Sequence, residues 1–355
     1  MLVVGLNHRT TPLAVRERVA VPLRELPEIL PALYRRGDLD EVALLSTCNR
    51  TEVYVAAPDA SAQIPVLTLW LAARGGLSLE GMRDYVYALS DDEAVAQLFR
   101  VAAGLDSMIL GESEIAAQVK QAYEAAQAAG TASVLLHRLF QKALHSAKLV
   151  RSRTRLADGR ASIGSVVAAL ANERFGERLA GCEVLLWGAG KAAEATARHL
   201  IKSGIRQLWI VSRTQTKAQD LASLCQSGWL AWEQALKHVA HVDIAIVCTQ
   251  APHYVIDGND FSRLHAQRGP QPLLLVDLSV PRNVDPALSR FSNVALYNID
   301  DLQAFTQAAR SQRLEERSRG EALIGQQVDH FFWRKTPINH EETQACSAVE
   351  ACCPA

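Results

Sequence analysis

The segment from Cys182 to Gly204, CEVLLWGAGKAAEATARHLIKSG, leaves the chain little choice of local fold. An apolar run enters Gly188-Ala189-Gly190 and continues into an amphipathic stretch that stops at Gly204, which is strand, tight turn and helix in succession. Strands of the same character recur at QLWIVS (207–212), HVDIAIVCT (241–249) and LLLVDLS (273–279). Near-continuous apolar strands separated by helical patterns predict a parallel sheet covered on both faces, a Rossmann-like domain. Gly188 permits the turn, Gly190 lets backbone approach a pyrophosphate at the helix N-terminus, and Ala193 replaces the third glycine of the fingerprint. Gly188, Ala189, Gly190, Lys191, Ala192 and Ala193 are therefore the candidate nucleotide-binding turn. A plain glycine turn is the bland alternative, and the strand-turn-helix context outweighs it.

The chain has 355 residues, and at roughly 150 residues per domain this sheet cannot be the whole of it. LVVGL (2–6), VALLS (42–46), TEVYVAA (51–57) and DYVYAL (84–89) read as strands, with helices near 25–37 and 91–104, the latter capped by Asp91. They predict a small α+β, ferredoxin-like domain. From about residue 107 the texture changes to a helical extension: Ile115, Val119, Ala122 and Ala126 recur at helical spacing up to Gly130, then Leu135, Leu139, Ala143 and Ala147. One side of it carries Lys142, His145, Lys148, Arg151, Arg153, Arg155 and Arg160, with Asp158 the only acid between 142 and 160. A solvated helix face is the ordinary reading of such a run, and a phosphate-backbone contact the functional one. Asp300 to Arg334 reads as one long charged helix, and the remaining tail shows no sustained periodicity. The predicted organisation is an α/β multidomain chain: 1–158, the α+β domain with its extension; 159–297, the Rossmann-like domain; 298–335, the long helix; and 336–355, a disordered tail.

Composition narrows the partners. Lys+Arg 37 against Asp+Glu 38 gives a net charge of -1, so any nucleic-acid contact must come from a local patch. Seven scattered cysteines, an odd number, do not make a disulfide scaffold and fit a reducing cytosol. No stretch approaches the roughly 20 apolar residues of a membrane span, and MLVVGLNHRT has no basic leader, so an unexported cytoplasmic protein with no membrane partner is expected. The tail cysteines lack histidines at a familiar finger spacing, and no metal is expected.

Two further motifs carry chemistry. The second strand of the parallel sheet ends in Ser212-Arg213-Thr214, where an NAD-specific protein places an acid against the ribose 2′-hydroxyl. An arginine with two hydroxyl neighbours suits a 2′-phosphate instead, so the cofactor reads as NADPH; the alternative is an arginine that only faces water. Between two strands of the first domain lies Ser46-Thr47-Cys48-Asn49-Arg50-Thr51. A cysteine is most often a buried small hydrophobe, but polar neighbours place Cys48 in a loop, and Arg50 is positioned to support a thiolate, the form that attacks carbonyls. A reactive thiol beside a nicotinamide domain points to reduction of an activated acyl group through a thioester. Cys248, where a sheet strand runs into a loop, is a weaker candidate.

The segments LVVGLNHRTTPLAVRERVA, LLSTCNRTEVYV, LFRVAAGLDSMILGESEIAAQVKQAY, the glycine turn with SRT, and VDLSVPRNVDP stand in the order found in glutamyl-tRNA reductases, which the chain resembles over roughly residues 2 to 333. The resemblance implies an N-terminal catalytic domain that binds glutamyl-tRNA, with Cys48 as nucleophile. It also implies reduction by NADPH to glutamate-1-semialdehyde at the entry to tetrapyrrole synthesis. By motif position, Thr47, Asn49, Arg50, Ser107, Glu112, Ser113, Glu114 and Gln118 would hold the glutamyl group. The helix from 300 would resemble the family's spinal helix, and glutamate-1-semialdehyde aminomutase would be a candidate partner.

The chain departs from the family pattern at three places. Gln97 stands where the family has a histidine, and an amide cannot transfer protons near neutral pH. Glu114 replaces the family's glutamine. After Lys335 only 20 residues remain, too few for a helical dimerisation domain, so a monomer or weak dimer along 300–334 is expected. A paralogue acting on another aminoacyl-tRNA and a non-catalytic tRNA- or partner-binding copy stay open as alternatives.

Overall fold

The computed structural model describes residues 1–36, 38–112, 114–156, 162–302 and 314–333. In the first half, strands Leu2–Asn7 (β1), Glu41–Ser46 (β2), Arg50–Ala56 (β3) and Tyr87–Ser90 (β4) form an antiparallel sheet in the order β2-β3-β1-β4, the ferredoxin-like order. Its helices are Leu13–Val19 (α1), Leu26–Arg36 (α2), Gln63–Gly75 (α3), Leu79–Arg83 (α4) and Asp91–Ala102 (α5). The extension is Glu114–Ala128 (α6) and Val134–Arg153 (α7). Every residue of β1 and β3 is buried, and this is why β3 carries an apolar run rather than an alternation.

Two local readings shift. β4 begins at Tyr87 rather than 84, because the Tyr85 and Val86 N–H groups donate back to the Met82 carbonyl at the end of α4. Ser90, not Asp91, is the N-cap of α5. Asp91 has φ 45 and is tied to the first residue instead, its N–H donating to the Met1 carbonyl at 2.9 Å and its carboxylate 3.3 Å from the terminal ammonium.

In the second half, Glu183–Trp187 (β5), Gln207–Val211 (β6), Gly228–Leu230 (β7), Ile244–Val247 (β8), Leu273–Asp277 (β9) and Val294–Asn298 (β10) form a parallel sheet in the order β10-β9-β8-β5-β6-β7. The helices here are Ile163–Phe175 (α8), Lys191–Lys202 (α9), Gln215–Cys225 (α10), Trp232–His238 (α11) and Gly258–Arg268 (α12). Alternate residues feed two cores: Val184, Leu186, Ile244 and Ile246 on one face, Leu185, Trp187, Ala245 and Val247 on the other. The order reverses between β5 and β8, and the crevice beyond their carboxyl ends is where such a sheet binds ligands. α8 lies against α9 so closely that a side chain at Gly164 would put its first carbon 2.7 Å from the Thr196 backbone.

The last described element is Leu314–Trp333 (α13). The predicted helix from Asp300 is corrected at its start. Asp300 lies in a turn after β10, its N–H donating to Asn298 Oδ1 at 2.8 Å; residues 303–313, the boundary at 158 and the whole of 336–355 fall outside the described residues. The segment expected to carry a weak dimer contact presents a different face. Leu314 is exposed, while Ile324, Val328 and Phe331 are buried in the core of the first domain, against α5 and α7. This face is occupied within the chain. No helix among the described residues is long and apolar enough to cross a membrane.

Candidate active site

β2 and β3 are joined by a tight turn in which the Thr47 N–H donates to the Arg50 carbonyl at 2.8 Å, leaving Cys48 and Asn49 at the tip. Cys48 is half-buried and packs against a small apolar cluster of Leu13, Met108 and Ile299, joined also by Ile163 and Val280. Ile163, Val280 and Ile299 come from the second half of the chain, so the tip of this turn faces the nucleotide-binding fold. Burial pushes the Cys48 thiol up to about 12; the Glu112 carboxylate adds to this and the Arg16 guanidinium opposes it. Asn49 is buried, its N–H donating to Thr47 Oγ1 at 3.1 Å and its Oδ1 without a partner.

Arg50 does not serve as the thiolate's support. Its Nη1 donates at 2.9 Å to both Glu52 Oε1 and Asp106 Oδ2, and its Nη2 donates at 2.5 Å to the Asp106 carbonyl. Burial alone would disfavour its charge, but Glu52 and Asp106 hold it firmly protonated. Glu52 also accepts from Tyr54 Oη at 2.7 Å, from Tyr87 Oη, and from Gln97 Nε2 at 2.9 Å. Gln97 Nε2 reaches Asp106 Oδ2 at 3.2 Å as well, and Arg9 closes the far side of Asp106 at 2.9 Å. Gln97 is thus a neutral tie between two carboxylates beneath the Cys48 turn. Sequence reading missed Glu52, Tyr54, Tyr87 and Asp106; the one available signal was a carboxylate inside the apolar strand TEVYV.

Ser107 is buried, and Glu112, Glu114 and Gln118 are half-buried around the start of α6; Ser113 lies outside the described residues. Burial pushes Glu112 up to about 7, with a Ser107 hydrogen bond working against it and Glu114 adding to it. Glu114 is raised by burial and opposed by Lys191, the first residue of α9. The same carboxylate, after burial, raises the thiol of Cys248. Glu114 therefore stands within electrostatic reach of Cys48, Cys248 and the glycine turn.

That turn has the form a pyrophosphate requires. Gly188 is buried with φ +120, its N–H donates to the Val211 carbonyl at 2.8 Å, and any side chain there would strike the Cys248 carbonyl. Gly190 is exposed at the N-cap of α9, with no atom within 4 Å of where a Cβ would stand. Ala189 and Ala192 are half-buried, and Ala193 is fully buried at the helix-sheet contact. At the end of β6, Ser212 is half-buried while Arg213 and Thr214 are exposed, and among the described residues Arg213 has no ion-pair partner. Open backbone donors, a cleared turn and an unengaged arginine fit a dinucleotide phosphate.

Two residues that sequence reading did not single out sit beside the thiol. The His8 N–H donates to the Asn49 carbonyl at 2.8 Å, while both its ring nitrogens are buried without partners. Burial lowers His8 to about 4, helped by Arg50, Arg9 and Arg16, so its ring is neutral. Arg16, on α1, is 2 % exposed; its Nη2 donates to Asp300 Oδ1 at 2.6 Å, while Nε and Nη1 have no partner. Among the described residues no group of three or more His, Cys, Asp or Glu gathers as a metal site.

A family model described as "Glutamyl-tRNAGlu reductase, N-terminal domain" matches residues 4–154, and one described as "Shikimate / quinate 5-dehydrogenase" matches residues 169–305. A glutamyl-tRNA reductase of Desulforudis audaxviator is 40 % identical over 332 residues, covering 93 % of this chain and 74 % of the relative. One of Syntrophus aciditrophicus is 38 % identical over 339 residues, covering 95 % and 80 %. The solved glutamyl-tRNA reductase from Methanopyrus kandleri superimposes with a TM-score of 0.50 at 29 % identity, covering 94 % of this chain and 80 % of that one.

Proposed function

The chain belongs to the glutamyl-tRNA reductase family, and from that premise we propose that it reduces the glutamyl group of glutamyl-tRNA to glutamate-1-semialdehyde through a thioester on Cys48, with NADPH as the reductant. The observation that carries the reading is the position of Cys48 against an apolar cluster built from both halves of the chain, with Val280 and Ile299 standing just beyond the carboxyl ends of β9 and β10. A thiol buried elsewhere in the first domain would have no route to a nicotinamide.

In the acyl-transfer step the Cys48 sulfur forms a bond to the ester carbonyl carbon and the bond to the tRNA ribose oxygen breaks. The tRNA leaves as a free hydroxyl, taking up the proton that the thiol gives up. A thiol pushed to about 12 needs a base, and Glu112, pushed to about 7, is the carboxylate that acts on it most strongly. Gly188 to Ala193 would hold the nicotinamide, which would supply the hydride needed at the thioester carbonyl carbon. Cys48 would leave that carbon as its thiolate, releasing the aldehyde, and be reprotonated from solvent. Thr47 and Asn49 fix the turn from which Cys48 attacks, while Gln97, Glu52 and Asp106 hold Arg50 beneath it.

NADPH is preferred over NADH because exposed Arg213 is available to a 2′-phosphate and no acid stands beside it. Exposed Lys148, Arg153 and Arg155 on and just after α7 supply cations for the tRNA backbone. A different aminoacyl-tRNA is not favoured, since relatives 34–40 % identical over most of the chain carry the one name. The test is incubation of the purified chain with glutamyl-tRNA and NADPH, with the aldehyde trapped as a hydrazone. NADPH oxidation matched by trapped aldehyde is expected; tRNA release without aldehyde would refute the reading.

A further inference from the structure

We propose that Asn283 and Thr249 are positioning residues for the hydride-transfer half of the reaction: together they tie the two loops that set the glycine turn against Cys48. The assignment rests on the reductase reading above. One loop, 248–256, follows β8, and the other, 278–284, follows β9. Asn283 is fully buried and uses both ends of its amide between them. Its Oδ1 accepts from Thr249 Oγ1 at 2.5 Å, while its Nδ2 donates to the Ala251 carbonyl at 2.9 Å and the His253 carbonyl at 3.1 Å. The Thr249 N–H donates in turn to Ser279 Oγ at 3.1 Å. Asp277, the last residue of β9, anchors the second loop by accepting from the N–H groups of Ser279 at 3.0 Å, Asn283 at 2.7 Å and Val284 at 2.9 Å. An amide donates to carbonyls and accepts from a hydroxyl at once, which neither an ionised carboxylate nor an apolar side chain of that size can do.

Each loop has a second side on the site. The 248–256 loop abuts the glycine turn, where the Cys248 carbonyl fills the space a Gly188 side chain would need. The 278–284 loop carries Val280, which packs on the same cluster of Leu13, Met108 and Ile299 as Cys48. It also carries Arg282, whose N–H and guanidinium donate to Glu17 of α1. A path from the glycine turn to the nucleophile therefore runs through the contacts of Thr249 with Asn283 and Ser279. Asn283 and Asp277, at 0 % and 1 % exposure, offer no surface to a substrate, so their influence on the reaction is through the loops they hold. Hydride transfer needs its reacting carbons about 3–3.5 Å apart and aligned, so a small slip between the loops is costly. Acyl transfer to Cys48 does not depend on that distance.

The experiment separates the two half-reactions in the full chain. Thr249→Val keeps the side-chain shape and deletes the hydroxyl, and Thr249→Ser restores it. Without NADPH, the rate of tRNA release from glutamyl-tRNA reads acyl transfer, and equilibrium fluorescence reads NADPH binding; Thr249→Val is expected to stay within about threefold of the wild type in both. In a single turnover with saturating NADPH, Thr249→Val should form aldehyde about tenfold more slowly or worse. The stalled thioester is then lost to water, which gives its hydroxyl to the acyl carbon and a proton to the sulfur, so glutamate appears in place of aldehyde. Thr249→Ser should return aldehyde formation to near the wild-type rate. Asn283→Ala should shift the same partition further, with faster amide hydrogen exchange across 278–284 in the nucleotide-free chain. Asn293→Ala is the control: Asn293 donates to the Gly269 and Gln271 carbonyls at the opposite end of the sheet, and its loss should leave the partition unchanged. Equal slowing of tRNA release and aldehyde formation, NADPH affinity lost in step with the aldehyde rate, or wild-type aldehyde formation in Thr249→Val overturns the assignment. A wild type that releases tRNA without aldehyde overturns the functional reading itself, and the assignment with it.

Discussion

Arg16 and Asp300 meet at 2.6 Å although 284 residues separate them. The next residue of α1, Glu17, meets Arg282 at 2.6 Å. One short helix of the first domain thus holds the nucleotide-binding half through two adjacent residues of opposite charge, beside the apolar contacts of Leu13, Met108 and Ile299 with their neighbours and of Ile109 with the core of the parallel-sheet half.

Cys48→Ser should abolish aldehyde formation while tRNA and NADPH binding stay within about threefold, since a hydroxyl does not form a reducible thioester here. Trapped aldehyde and equilibrium binding measure the two parts. Wild-type turnover in the variant would remove Cys48 from the reaction.

The pH dependence of thiol alkylation follows from Glu112. At about pH 8 its carboxyl is ionised and raises the Cys48 thiol, so Glu112→Gln should expose more thiolate and speed alkylation by iodoacetamide. At about pH 5.5 Glu112 already carries its proton, and the two proteins should react at the same rate. Peptide mass spectrometry at Cys48 reads both rates; a slower variant at the higher pH contradicts the coupling.

Arg213→Ala should erase most of the preference for NADPH over NADH, with kcat on saturating NADPH little changed. The ratio of kcat/KM for the two cofactors is the measurement. An unchanged ratio would mean that another group reads the 2′-phosphate.

Gln97→Leu removes the donor shared by Glu52 Oε1 and Asp106 Oδ2. The loss should cost about 1–3 kcal/mol of folding stability, read from urea unfolding midpoints. A variant as stable as the wild type would show that the two carboxylates find their hydrogen bonds elsewhere.

Phe331→Ala should cost about 3–5 kcal/mol. Phe331 is 2 % exposed, edge-on to Phe99 with centroids 6.1 Å apart and lying under the Arg138 guanidinium. An unaffected melting temperature would mean that α13 is not part of the first domain's core.

What could be read from the sequence was what local pattern encodes. The glycine turn from Gly188, the strands around it and the polar loop bearing Cys48 are contiguous signals, and the fold class followed from them. β7 escaped because Gly228-Trp229-Leu230 is too short to show a period, and α1 because seven residues after Pro12 resemble a loop. The site's electrostatics were hidden for a different reason. Arg50 looked like a free cation because Asp106 is 56 residues away, and Arg16 carried no signal because Asp300 is 284 away. No spacing rule reports a partner that only folding brings near. Gln97 could be seen as an anomaly, but not as the tie between Glu52 and Asp106.

The paired contacts of α1 bear on how this enzyme could be recombined. A nucleotide-binding half grafted from another dehydrogenase would preserve the sheet and the glycine turn, yet fail to seat unless it brought a cation at the position of Arg282 and an acid at that of Asp300. Chimaeras that exchange both charges together with their α1 partners should dock, and those that exchange one side alone should bring like charges into contact.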